Sequence, residues 1–129
     1  MKNLNNLAEE CDEAINTASQ EKIEILAKEI QERLNDSNKN KEKFALHYLY
    51  GNLCHALSTI INEDPSGWRN DNYPDYLTSE INHLRAAEKI IPDKEKIYKY
   101  EIETNLANAI AKQRRSIEVL GNWRCDFNI

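Results

Sequence analysis

Apolar residues recur along this chain at helical spacing and almost nowhere else. Leu4, Leu7, Cys11, Ala14 and Ile15 lie three or four residues apart, which predicts a helix over about Leu4 to Thr17. Ile23, Leu26, Ala27, Ile30 and Leu34 predict a second from about Gln20 to Leu34, ended by the polar run Asn35-Asp36-Ser37-Asn38-Lys39-Asn40. The third segment, about Lys41 to Asn62, is apolar over most of its circumference: Phe44, Leu46, Leu49, Leu53, Cys54, Leu57 and Ile61 do not fit on one stripe. Such a helix is packed by neighbours on several sides, which makes it the expected centre of the fold.

A loop of turn-forming residues follows, from Glu63 to about Pro74, with Pro65, Ser66, Gly67, Asp71 and Asn72 around Trp68. Leu77, Ile81, Leu84, Ala87 and Ile91 then predict a fourth helix from about Asp75 to Ile91, stopped at Pro92. A fifth is expected over about Asp93 to Arg114, and a sixth from near Ser116. No segment alternates apolar and polar residues as a half-buried strand does. Short connections imply antiparallel neighbours, so the expected class is all-α, stacked helical hairpins in one domain over residues 1–129.

Composition narrows the function classes. The net charge is −5, and residues 1–36 already supply it, with nine acids against four bases; the remainder is neutral. No basic stripe of the kind that grips nucleic acid is visible, so no nucleic-acid partner is expected. No apolar run is long enough for a bilayer and the N-terminus lacks a signal-peptide core, so no membrane partner and a cytoplasmic location are expected. Cys11, Cys54 and Cys125 have no metal-site spacing and read as reduced thiols. Gly-rich phosphate loops, nucleophile elbows and zinc-protease motifs are absent. Glu9, Glu10, Asp12 and Glu13 cluster on what reads as a solvated face. His47 and His55 lie two turns apart on the third helix, but without a third ligand they do not make a metal site. The chain is therefore expected to be no enzyme and to hold no cofactor or metal.

An internal repeat carries more information. Tyr50-Gly51-Asn52-Leu53 and Leu106-Ala107-Asn108-Ala109 match in kind at an offset of 56 residues. Glu80-x3-Leu84-x2-Ala87-x4-Pro92 has the small and apolar spacing of the second helix of a tetratricopeptide repeat, and Val119-x3-Trp123 fits the first two of those positions again. On these residues the chain resembles the tetratricopeptide (TPR) family from about Lys41 to its end. His47 departs from that pattern where Trp is common, Glu80 where Ala is usual, and the unit from Gly51 to Ala87 is about seventeen residues longer than a standard repeat. The resemblance implies a right-handed solenoid of about three helix pairs and a concave groove that binds a peptide or protein segment.

In such a groove Asn52 and Asn105 match positions that hydrogen-bond a bound backbone, and Tyr48 stands where a carboxylate-clamping Lys would be. The groove candidates are thus Tyr48, Asn52, Asn105 and Asn108; the alternative for the amides is bonding across helices within the fold. A second candidate surface is the loop with Trp68, Arg69 and Tyr73, and Tyr76 beside it, aromatic and Arg-bearing like an interface anchor or else a plug for the core. The run Glu103 to Ala109 with Ser116 to Leu120 and Trp123 also looks like the TPR-like N-terminal region of certain bacterial HEPN-domain proteins. That likeness implies a regulatory or sensor region whose nuclease lies outside this chain, because none of His47, His55 and His83 follows an Arg at the HEPN spacing. The aromatic C-terminus, Gly121 to Ile129, is expected either to continue into a longer protein or to pack on the domain or on a second copy as a homodimer.

Overall fold

The structure is a computed structural model; it describes residues 3–63 and 72–127, with side chains described for 3–61 and 76–115. Every element within them is helical. Five α-helices follow one another: α1 (Leu4–Asn16), α2 (Gln20–Asp36), α3 (Asn40–Glu63), α4 (Asn72–Lys89) and α5 (Lys99–Phe127), with a 3₁₀ segment, Asp93–Tyr98, leading into α5.

Local chemistry sets the ends of the first two helices. Asn3 caps α1, its side-chain oxygen accepting from the Asn6 backbone N–H at 2.8 Å. At the other end Ser19 N–H donates to Ala14 O and Ala18 N–H to Ile15 O, the paired bonds of a Schellman closure. That closure needs a left-handed residue, and Ala18 supplies it at φ 50°. Ser19 then caps α2 with its hydroxyl, so three residues turn the chain from one helix into the next. Pro74 falls in the first turn of α4, where a missing N–H costs little; the helix therefore starts inside what the sequence reads as loop.

The helices alternate in direction. Arg33 of α2 pairs with Glu42 of α3 at 3.1 Å, joining the end of one helix to the start of the next. Gln113 in the middle of α5 donates to Thr78 in the first half of α4 at 3.2 Å, while Ile102 at the start of α5 packs with Ala87 near the end of α4, so these two also run in opposite directions. The odd helices consequently all begin at the same end of the bundle. Helix α3 is the centre, as its apolar circumference demands: it packs on α1, α2 and α4. One core joins Leu7, Cys11 and Ala14 of α1, Ile23, Leu26 and Ile30 of α2, and Leu46, Leu49, Leu53 and Leu57 of α3. A second joins Phe44 of α3, Leu84 and Ala87 of α4, and Ile102 of α5.

Two expectations change. The fifth and sixth helices are one continuous helix. Between Ala107 and Leu120 no Gly or Pro interrupts a run rich in Ala, Lys, Arg and Gln, and the single Gly121 costs only about 1 kcal/mol in a helix interior. The start of the expected fifth helix is the 3₁₀ segment, whose first backbone bond runs from Glu95 N–H to Pro92 O. The bundle is thus two hairpins and a long fifth helix.

Candidate functional site

The odd helices share a face, and a groove of about 260 Å³ opens on it at the end where they begin. Leu4, Asn5 and Ala8 of α1 form one wall; Phe44, Ala45 and Tyr48 of α3 form the floor; Tyr98 of the 3₁₀ segment forms the other wall, with Lys41 and Glu95 at the rim. The opening exists because Ala8 on the wall and Ala45 on the floor carry no bulk to fill it. The rings of Phe44 and Tyr48 stack at 6.2 Å, and Tyr48 meets Tyr98 at 5.4 Å, so an aromatic row lines the opening.

Tyr48 is also held through its hydroxyl. It donates to the Glu101 carboxylate and accepts from the Asn52 side chain, a link that ties α3 to α5. Burial and then the Glu101 bond push its pKa well above the ordinary tyrosine value, so the phenol stays protonated. Asn52 lies half-buried beside that hydroxyl. Asn105 is half-buried on α5 and Asn108 is exposed there. Of the four groove candidates Tyr48 lines this opening, whereas Asn52, Asn105 and Asn108 are not among its lining residues.

A second polar constellation lies between α3 and α4, and the sequence did not indicate its pairing. His47 Nδ1 and His83 Nδ1 are 2.8 Å apart, so one ring donates and the other accepts. Their centroids are 5.0 Å apart, and Tyr50 covers His83 at 4.1 Å. Burial, and then the neighbouring His47, lower the pKa of His83 to about 4; burial and Lys43 lower that of His47. Farther along, His55 Nδ1 meets Glu80 Oε1 at 3.1 Å. Glu80 is wholly buried, and its second oxygen has no hydrogen-bond partner among the described residues. It is thus a buried side chain held by a histidine.

His47 and His55 each hydrogen-bond across to a different residue of α4, His83 and Glu80. No cluster of three or more metal-ligating side chains occurs among the described residues. Cys54 sits beside this seam, and burial, then the Glu80 charge, raise its thiol to about 12, which makes it a poor nucleophile at neutral pH. Cys11 is likewise buried. Glu9, Asp12 and Glu13 are exposed and Glu10 half-buried.

The loop surface cannot be compared with the structure: Trp68 and Arg69, and the side chains of Tyr73, Trp123 and Cys125, lie outside the described residues. Tyr76 is described. It packs against the first core and donates from its hydroxyl to Glu24 at 3.3 Å, serving the α2–α4 contact. No helix among the described residues is long and apolar enough to cross a membrane. Comparison with protein-family models, curated proteins and solved structures finds no match for this chain.

Proposed function

We propose that this protein is a non-catalytic, TPR-like interaction module that binds a peptide or protein segment in the groove formed by α1, α3 and the 3₁₀–α5 junction. The observation that carries the reading is that groove: an apolar, tyrosine-lined opening of about 260 Å³ on the face shared by the parallel odd helices. Concave openings of a few hundred Å³ with an apolar lining and a few polar groups at the rim are where proteins take ligands. The inherited features of the repeat support it further. Gly51 lets α3 and α4 approach closely, and Tyr48, one of the matched positions, lines the opening.

The test is co-purification from the native cell, with the wild-type chain beside Ala45→Phe. Ala45 is only partly buried, so a ring there enters the opening rather than the core. A partner recovered with the wild type and lost with the folded variant supports groove binding. A partner recovered equally with both refutes it and directs attention to the segment containing Trp68.

A further inference from the structure

Resting on that reading, we propose that the groove takes an acidic segment that inserts one large apolar side chain into the opening, against the touching rings of Tyr48 and Tyr98. Charge at this end of the bundle runs against the charge of the chain. The chain as a whole carries −5, concentrated in residues 1–36. The two stretches that frame the groove, 39–43 and 93–101, hold six lysines (Lys39, Lys41, Lys43, Lys94, Lys96, Lys99) against four carboxylates. Three of those carboxylates are already engaged. Glu42 pairs with Arg33 at 3.1 Å, Asp93 with Lys96 at 3.2 Å, and Glu101 accepts from the Tyr48 hydroxyl. Glu95 lines the opening together with Lys41. All of the lysines except the half-buried Lys43 are exposed. The α3 and 3₁₀ side of the rim is therefore positive, which attracts acidic segments to that side and repels basic ones.

The apolar part of the recognition follows from the walls. The opening has room for about one large side chain, and its aromatic lining continues outward: Tyr98 is 38% exposed, and Ile97 and Tyr100 beside it are 80% and 81% exposed. Exposed large apolar residues next to an apolar pocket extend the surface a bound segment covers. A partner with acidic residues flanking a Leu or an aromatic meets both features at once. A basic segment meets repulsion at the rim, and a purely acidic one leaves the pocket empty.

The test uses fluorescence anisotropy with the full chain and three labelled synthetic peptides: Leu flanked on both sides by glutamates, the same with lysines, and the glutamate peptide with Ala for Leu. The glutamate–Leu peptide is expected to bind saturably. Its affinity should fall about tenfold in Lys41→Glu and fall again between about 0.05 and 0.3 M salt, since exposed charges are screened over shorter distances there. Ala45→Phe should abolish binding without moving the melting temperature. The Ala peptide should bind at least about tenfold more weakly, because it lacks most of the apolar side chain that the opening buries. Preferential binding of the lysine peptide, or binding of all three alike, overturns the inference. If Ala45→Phe abolishes binding of the lysine peptide, groove binding stands and only the partner chemistry is wrong. If the glutamate–Leu peptide binds equally to wild type and Ala45→Phe, the groove reading fails with it.

Discussion

Gly51 is the position where one added side chain should do most damage. A Cβ built there lies 2.9 Å from Leu84 Cδ2 and 3.1 Å from its Cγ, with the Glu80 carbonyl oxygen at 3.8 Å. Carbon atoms in contact prefer about 3.5–4.0 Å. Leu84 is 1% exposed and belongs to the core shared with Phe44, Ala87 and Ile102, so it cannot swing into solvent to make room. Two effects oppose each other in Gly51→Ala. Ala gains about 1 kcal/mol in helix propensity over Gly, while overpacking costs about 1–3 kcal/mol. The net expectation lies between about neutral and about 2 kcal/mol destabilising. Gly51→Leu has the same propensity gain but three further carbons against the same wall. It must separate α3 from α4, and a loss above about 3 kcal/mol is expected, a fall of roughly 10 °C or more for a chain of this size.

The assay is thermal and urea unfolding of wild type, Gly51→Leu, Leu84→Ala and the double variant. Leu84→Ala alone should cost about 2–5 kcal/mol through the cavity it leaves. If the two residues meet as described, the new leucine occupies part of that cavity, and the double variant is more stable than the sum of the singles by at least about 1 kcal/mol. An unchanged melting temperature for Gly51→Leu, or strict additivity, would refute the close approach of α3 and α4 at this point.

Three further outcomes are expected. Ala18→Gly should raise stability by about 0.5–1 kcal/mol in urea unfolding, because the left-handed φ of 50° strains a residue with a Cβ; a lower midpoint would show that the turn depends on the methyl group. The histidine pair should make stability depend on pH. Both folded-state pKa values lie below the unfolded value of 6.5, so the unfolded chain binds more protons as pH falls; stability is full above about pH 6.5 and is lost toward pH 4, where His83 titrates. His83→Phe should flatten the urea midpoint over that window, and an equally steep profile in the variant would exclude the pair as its source. His55→Ala leaves Glu80 buried without its partner and should cost about 3 kcal/mol, more than Glu80→Gln, which keeps an acceptor for the ring; the reverse order in thermal melts would show that His55 does not hold the carboxylate.

The sequence by itself determined the helices and the class they form. Periodicity marked α1 to α4 to within a few residues, and the apolar circumference of α3 identified the helix that others surround, because burial on several sides requires apolar residues on several sides. Gly51 was legible as a close contact for the same kind of reason: a small residue in a helix interior is unfavourable unless something needs the space. Tyr48 was legible as a surface residue of the odd helices, while its pairing with Glu101 was not.

Tertiary structure decided what periodicity cannot encode. Which residues of α4 the two histidines of α3 meet depends on the register of α3 against α4, which the Leu84–Gly51 contact sets from residues 33 positions apart. The same register buries Glu80 opposite His55, so the departure from the repeat pattern at that position became intelligible only with its partner beside it. Helix α5 passes Ser116 without a break because a serine caps a helix only where the backbone turns away, and nothing there makes it turn. The groove, too, exists only in three dimensions: Ala8, Ala45 and Tyr98 come from three elements that share an opening solely because the odd helices begin at the same end. Local sequence fixes which face of each helix is apolar; the packing of whole helices fixes which faces meet.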